Sequence, residues 1–196
     1  MKKIIILIFF VGSCLVLRAD DFSLTFEFSQ GIFKSNNNIF DRIYGHTYPT
    51  FVGMGFIANK YNVKLTAGIG FFKKKGESII LPENSGISPD ELEFKNISFP
   101  INLIYTYKMG KLKPFLIGGF SINRVSEKWA SVPIYHSYVE IGYAIGGGAD
   151  FYSKNNWSLS GGITYSSINL DKTQKYLDHL SLSGYNFFIQ ISYKLF

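Results

Sequence analysis

The sequence is poor in the residues that build disulfide frameworks, metal sites and membrane-spanning helices. Its single cysteine is Cys14, so no disulfide framework can form within the chain. Its three histidines, His46, His136 and His179, lie in three different polar stretches without a second ligand at helical or hairpin spacing, which predicts no metal site. The one long apolar run, 4–17, is shorter than the roughly 20 residues that a spanning helix needs. These absences argue against a disulfide-rich domain, a metalloenzyme and a helical membrane protein.

The N-terminal segment has the pattern of a secretory signal. Lys2 and Lys3 precede the apolar run, and Arg18-Ala19 follow it, which predicts a signal peptide over 1–19 and one domain over 20–196. Apolar residues directly after Cys14 argue against lipidation at that cysteine. Loss of the segment's three basic residues would lower the formal net charge from +6 to +3. The remaining basic residues are scattered, so we expect no nucleic-acid partner.

What the sequence does contain is strict alternation of apolar and polar residues. It is clear at the C-terminal end, 185–196, where aromatic and aliphatic side chains occupy every second position. Successive side chains of a strand point to opposite faces, so one face is apolar and the other largely polar. About a dozen residues suffice for a tilted strand to cross the hydrocarbon layer. The pattern therefore predicts a membrane-spanning strand.

The same pattern recurs along the chain with alternating long and short connections. The predicted strands are 22–33, 47–58, 62–72, 95–108, 112–124, 138–151, 157–167 and 185–196. The short connections are 59–61, 109–111 and 153–156. Lipid cannot satisfy an open sheet edge, so the strands must close on themselves. The fold class predicted is all-β, an eight-stranded antiparallel up-and-down transmembrane β-barrel. Pro100 is expected to break the ladder locally, with a bulge or bend.

Three segments carry a resemblance to a known family. LKPFLIGGFSINR at 112–124, IGYAIGGGADF at 141–151 and the terminal Phe196 resemble the small bacterial outer-membrane barrels that include OmpX, the OmpA transmembrane domain and the opacity-type proteins. The resemblance implies an outer-membrane location, outer-membrane lipid and the barrel-assembly machinery as partners, and no cofactor. It also implies that Tyr193 and Phe196 form the assembly signal, although Tyr193 stands three residues before the end instead of the commoner two.

Inward polar and charged side chains are the first candidates for a functional role. The predicted set is Glu27, Lys64, Asn102, Glu140, Asp150 and Lys194. An eight-stranded barrel has an interior just wide enough for side chains to fill, and buried charges need partners of opposite sign. We expect these groups to pair and plug the lumen. A gated ion path built from the same groups is the alternative.

The longest predicted connection, 73–94, opens with a basic patch, Lys73, Lys74 and Lys75. The patch could bind lipopolysaccharide phosphates or an acidic host surface, while a solvated loop with no ligand is the simpler interpretation. Aromatic residues near strand ends are interpreted as interfacial girdles. The predicted girdle members are Phe71, Tyr105, Tyr107, Tyr138, Phe151, Trp157, Tyr165, Tyr185 and Tyr193.

Function is predicted only in outline, because fold does not fix it. We expect a monomeric, non-enzymatic barrel with a structural or surface-interaction role, through four extracellular loops whose ligand is unknown. A narrow channel for small or hydrophobic solutes, as in OmpW-like relatives, is the alternative. The third hypothesis is a lipid A-modifying enzyme, since His179-Leu180-Ser181 resembles the membrane-barrel lipid A deacylases. No Glu follows Glu140 to orient the histidine, so we predict that the chain is not an enzyme.

Overall fold

A computed structural model of the protein describes residues 22–77, 91–107, 109–110, 112–130, 135–168 and 182–195. Eight antiparallel strands form a closed barrel in which each strand pairs with its neighbour in the chain and the last pairs with the first. They are β1 (Phe22–Ser35), β2 (Thr50–Ala58), β3 (Val63–Glu77), β4 (Glu91–Thr106), β5 (Lys113–Trp129), β6 (Tyr135–Lys154), β7 (Trp157–Ile168) and β8 (Gly184–Lys194). Closure runs from Thr25 opposite Lys194 to Ser35 opposite Gly184. The predicted fold class is confirmed.

The barrel has two different ends, which we call the turn end and the loop end. The turn end carries the short connections, including a 3-10 turn at Asn59–Tyr61 and the dipeptide Asn155-Asn156, whose φ angles are 49° and 69°. Asparagine tolerates this left-handed conformation, and two such residues in succession match the twist of a tight hairpin. The loop end carries the long connections. The predicted turn at 59–61 is confirmed. The turn predicted over 153–156 is narrower, since Ser153 and Lys154 are paired in β6, and the turn predicted over 109–111 lies partly outside the described residues.

The two faces of the strands divide as the alternation predicts. The outer face is a belt of exposed apolar side chains, including Met54, Leu103 and Ile145. Strand β2, whose polarity alone leaves its register open, turns Gly53 inward. A Cβ on Gly53 would lie 2.4 Å from the Phe51 ring, and one on the opposite Gly68 would lie 2.7 Å from the same ring. The paired glycines therefore make room for Phe51 inside the barrel.

Several strands extend farther toward the loop end than the sequence predicts. Strand β3 continues to Glu77 and pairs with β4 from Glu91, so Lys73, Lys74 and Lys75 lie in a paired strand. Their assignment to a loop is wrong. Strands β5 and β6 likewise extend the predicted strands to Trp129 and Tyr135. The apolar alternation ends where the lipid-facing surface ends, whereas the backbone pairing continues through charged residues.

The connection after β1 was predicted to be a polar loop and instead contains a helix, α1 (Asn38–Tyr44). Among the described residues, no helix is long and apolar enough to cross a membrane. At Pro100 the pairing with β3 is interrupted and resumes in the same register, so the ladder breaks as expected without a bulge. The register shift that the structure does show lies between Asp150 and Tyr152 on β6.

Candidate functional site

The lumen near the turn end contains an ion pair whose carboxylate is buried. Lys64 Nζ lies 2.7 Å from Glu27 Oε1, and the Glu27 side chain is only 1% exposed. Thr25 Oγ1 donates a further hydrogen bond of 3.2 Å to the same carboxylate oxygen. The two charged residues come from β1 and β3, and they meet across Gly55 of β2, where a Cβ would lie 2.8 Å from Glu27 Oε1. Glycine on the intervening strand is what allows the pair to form.

A second pair of opposite charges adjoins the first. Lys113 of β5 stands opposite Asp150 of β6 in the sheet register. The Asp150 carboxylate lies within electrostatic range of Lys64, Lys113 and Glu27. Of the predicted lumen residues, Glu27 and Lys64 are therefore in direct contact, and Asp150 is near enough for its charge to interact with theirs. Lys113 was not predicted to be a lumen residue. Its position beside Pro114, at the start of the strand opposite Asp150, is the signal that could have indicated it.

The other predicted lumen residues are dispersed. Asn102 lines a cavity in the middle of the barrel. Glu140 lies half-buried on β6, and its backbone carbonyl accepts a hydrogen bond of 3.5 Å from Asn123 Nδ2. Lys194 shares the inward parity but is exposed at the last position of β8. It therefore lies at the turn-end rim of the inward face, apart from the Glu27–Lys64 pair.

The middle of the lumen is a cavity of about 200 Å³ with a mixed lining. Amide side chains and hydroxyl groups share its wall with aromatic rings such as Phe51 and Phe188. The Oδ1 atoms of Asn96 and Asn186, both on this wall, are buried and have no protein hydrogen-bond partner within the described part of the chain. A polar space of this size meets the conditions for buried water. Side chains therefore do not fill the interior completely.

Toward the loop end, the barrel contains a cluster of buried apolar side chains, which we call the apolar plug. Its buried members come from α1 and from the inward faces and connections of the strands around it, and they are Phe33, Phe40, Tyr44, Leu92, Phe94, Val125, Ile168 and Leu182. Phe94 lies at the centre, with ring centroids of Phe40 and Tyr44 each 5.2 Å away and that of Phe72 at 5.7 Å. Aromatic pairs in such geometries each add about 0.5–1.5 kcal/mol beyond their burial.

The helix that supplies the plug is defined by local sequence signals. Asn37 Oδ1 accepts hydrogen bonds from the backbone N–H groups of Ile39 and Phe40, at 2.9 and 3.4 Å, which caps the free N-terminal donors. Gly45, with φ of 60°, ends the helix. Phe40 and Tyr44 are four residues apart and so share one face. An Asn cap before this apolar spacing is the signal that could have predicted the plug.

One polar contact holds the plug to the barrel wall. The Tyr44 hydroxyl donates a short hydrogen bond to Glu127 Oε1 of β5, and both side chains are buried. Burial, and secondarily the charge of Glu127, raise the pKa of Tyr44 well above its usual value. The phenol therefore stays neutral and can donate to the carboxylate throughout the physiological pH range.

The three lysines predicted as a basic patch do not act as one surface. Strand alternation sends Lys73 and Lys75 outward, where they bind Glu93 (2.8 Å) and Glu91. Lys74 lies on the other face, with its Nζ 5.9 Å from the centre of the Tyr48 ring. Exposed ion pairs of this kind contribute little stability. The hydrogen bond from Lys73 nevertheless lowers the pKa of Glu93.

The aromatic residues of the outer face form pairs near both ends of the barrel. The rings of Trp157 and Tyr193 are 4.7 Å apart at the turn end, and those of Tyr165 and Tyr185 are 5.3 Å apart toward the loop end. Phe71, Tyr105, Tyr107 and Phe151 are exposed on the same face. Tyr138 is the exception, because it packs against the apolar plug. Its assignment to an interfacial girdle is wrong.

Some predicted residues lie outside the described part of the chain. They are Cys14, His179, Ser181 and Phe196. The enzymatic hypothesis and half of the assembly signal therefore stay predictions. Within the described ranges, no group of three His, Cys, Asp or Glu side chains is placed to hold a metal ion.

The closed barrel fold is shared with known proteins. A family model described as outer membrane protein beta-barrel domain matches residues 17–194. Neisserial surface protein A is 17% identical with a TM-score of 0.60, over 89% of this chain and 97% of that one. A major outer membrane protein from Thermus thermophilus is 12% identical with a TM-score of 0.65, over 89% and 99%. The N-terminal barrel domain of Pseudomonas aeruginosa OprF is 12% identical with a TM-score of 0.52, over 88% and 97%. None of the curated proteins matches the sequence.

Proposed function

Because the chain belongs to the outer membrane protein beta-barrel domain family and lies in the bacterial outer membrane, we propose that it is a closed, non-conducting barrel with a structural or surface-interaction role. Its loop end faces the outside of the cell and carries that role. The turn end faces the periplasm, as the short turns of outer-membrane barrels do.

Two obstructions inside the lumen, one toward each end, support this proposal. At the turn end the obstruction is ionic, with the Glu27–Lys64 pair 2.7 Å apart. At the loop end it is apolar, with Phe40 and Phe94 fully buried. An ion would have to displace both an ion pair with a buried carboxylate and a buried aromatic cluster, and both steps are costly. The channel alternative would require the plug and the ion pair to open together.

The length of the strands supports a role outside the membrane. Strand β5 has 17 residues and β6 has 20, whereas about 9–11 tilted residues cross the bilayer. The strand residues beyond this length lie mainly at the loop end, where β3 to β6 continue past the apolar belt as a paired sheet. This sheet offers a rigid surface to a partner, unlike a set of mobile loops.

Labelling of single cysteines on intact cells tests the proposed orientation. Glu77 is exposed at the loop end and Ser153 is exposed at the turn end. With an impermeant maleimide, we expect Glu77→Cys to be labelled on intact cells and Ser153→Cys only after lysis. The parent chain without an added cysteine is the control. Labelling of Ser153→Cys alone on intact cells would mean that the barrel is inverted.

A further inference from the structure

The outer faces of β3 to β6 change from apolar to polar along matching rows of paired residues. The last apolar row contains Phe71, Ile97 and Val139, with Arg124 between the latter two. The next row toward the loop end consists of Lys73, Lys95, Ser126 and Ser137. The row beyond it consists of Lys75, Glu93, Lys128 and Tyr135. The polar rows therefore begin directly at the edge of the lipid-facing belt.

A cleft of about 300 Å³ lies on these rows, between β4, β5 and β6. We call it the basic cleft, and its defining residues are Lys95, Arg124, Lys128 and Tyr135, with Ile97 at the edge nearer the belt. Its outward position makes it a surface feature separate from the lumen. Its polar groups are exposed and can reach a ligand at the membrane boundary.

The basic cleft carries an excess of positive charge. It has three cations and one carboxylate, Glu93, and that carboxylate is already bound by Lys73 at 2.8 Å. Among the described residues, Lys95, Arg124 and Lys128 form no ion pair of their own. Arg124 Nε donates to Ser137 Oγ at 3.4 Å, which leaves the other guanidinium donors for an anion. Within the described ranges, Lys95 and Arg124 therefore have no carboxylate partner, and Lys128 shares Glu93, which stands opposite it, with Lys73.

The hydroxyl groups around the cleft add to this preference for negative charge. Hydrogen bonds from Ser137 and Ser126, followed by the field of Arg124, lower the pKa of Tyr135. The Tyr135 hydroxyl, which accepts these bonds, keeps its own O–H to donate to phosphate oxygens, which are strong acceptors. The cleft thus combines point charges, a planar guanidinium and a hydroxyl donor, the set that recognises phosphate groups.

The shape of the charged area narrows the ligand class. Arg124 and Lys128 are four residues apart on β5, which corresponds to about 13 Å along the strand. Cations spread over that distance suit a tall headgroup with more than one anionic group, and the phosphate of an ordinary phospholipid would reach only the nearest of them. Beside the lowest cation, Ile97 and Val139 continue into the apolar belt. An amphiphile can therefore place its headgroup on the cations and its chains on the belt.

We propose that the basic cleft binds a phosphorylated glycolipid of the outer leaflet, with Arg124, Lys95 and Lys128 on its phosphate groups. The inference rests on the proposed function, because it places the loop end on the outside of the cell. Binding measured on the purified folded barrel in detergent does not depend on orientation. A failure of the cell labelling experiment and a failure of this binding experiment are therefore distinguishable.

The test compares two variants that lose the same charge. The first variant replaces Lys95, Arg124 and Lys128 with Gln. The control variant replaces with Gln three lysines that are exposed elsewhere on the barrel, Lys34, Lys154 and Lys194. Each folded protein is titrated with lipid A, with dephosphorylated lipid A and with phosphatidylglycerol, and bound lipid is counted by native mass spectrometry. We expect the first variant to bind lipid A about tenfold or more weakly than the parent chain, and the control to bind as the parent chain does.

Dephosphorylated lipid A and phosphatidylglycerol should each bind the parent chain about tenfold more weakly than lipid A. If the control variant lost as much lipid A binding as the first variant, net charge alone would attract the lipid. If phosphatidylglycerol bound the parent chain as tightly as lipid A does, the cleft would not recognise a glycolipid headgroup. Either result overturns the proposal. If the triple variant fails to fold, Arg124→Gln alone should still weaken lipid A binding, and unchanged binding in that variant would contradict the assignment.

Discussion

At the scale of single residues, the face to which each side chain points was predictable, but its partner was not. Alternation correctly placed Glu27 and Lys64 inside the barrel. It could not show that they meet 2.7 Å apart across Gly55, because contacts between β1 and β3 depend on barrel curvature. For Tyr138 even the face was assigned wrongly. It was placed in an interfacial girdle because it lies near a strand end, although its position in the alternation indicates the inward face, where it packs against the apolar plug.

The buried ion pair gives a prediction at this scale. Lys64→Ala removes the partner of a carboxylate whose side chain is 1% exposed, and an uncompensated buried charge costs about 3 kcal/mol or more. We expect the free energy of unfolding, measured by urea titration in vesicles, to fall by about that amount. The control is Lys154→Ala, whose lysine is exposed and whose loss should cost less than about 0.5 kcal/mol. Equal effects of the two substitutions would mean that the pair does not stabilise the fold.

A second prediction concerns the apolar belt. Ile101 lies midway along the outward apolar positions of β4, whereas Ile32 is the last apolar outward residue of β1. Arginine on the lipid face costs about 2–4 kcal/mol at the bilayer midplane and about 0–1 kcal/mol near the interface. Ile101→Arg should therefore destabilise the barrel more than Ile32→Arg in the same urea titration. The reverse order would show that the hydrocarbon layer is centred elsewhere on the barrel.

At the scale of elements, the existence and order of the strands were predictable, and their lengths at the loop end were not. Apolar alternation marks only the part of a strand that faces lipid. Beyond Phe71 the hairpin of β3 and β4 continues through pairs such as Lys75 and Glu93, which look like loop residues in the sequence. Helix α1 was missed because three asparagines, Asn36 to Asn38, dominate the polarity of its segment.

The apolar plug gives a prediction for the helix. Phe40→Ala combined with Tyr44→Ala removes two rings from the cluster around Phe94 and should expose the lumen at the loop end. Ser98 lines the central cavity, so Ser98→Cys reports access. We expect maleimide labelling of purified Ser98→Cys to be slow and to become fast when both rings are removed. As a control, Ile39→Ala changes an exposed position of the same helix, and labelling of Ser98→Cys should stay slow in its presence. Fast labelling of Ser98→Cys without any other change would contradict closure by the plug.

At the scale of the whole molecule, the lumen holds two groups of different chemistry, an ion pair and an apolar cluster, on either side of a cavity with a mixed lining. The family resemblance of the sequence covered the barrel itself, which was confirmed. It carried no information about the plug, because the plug is formed by α1 and by strand extensions that the family pattern does not specify. The lumen charges predicted from the sequence form the ion pair near the turn end. Aromatic residues, which were not predicted to lie inside the barrel, form the centre of the apolar plug near the loop end.

Conductance in planar bilayers tests the central claim most directly. The purified wild-type barrel should insert and carry no sustained ion-selective current, because the Glu27–Lys64 pair and the apolar plug both obstruct the lumen. A variant with Phe40, Tyr44, Glu27 and Lys64 all replaced by Ala removes both obstructions and should show discrete current steps, which controls for insertion. Sustained ion-selective current from the wild-type protein would contradict the closed barrel.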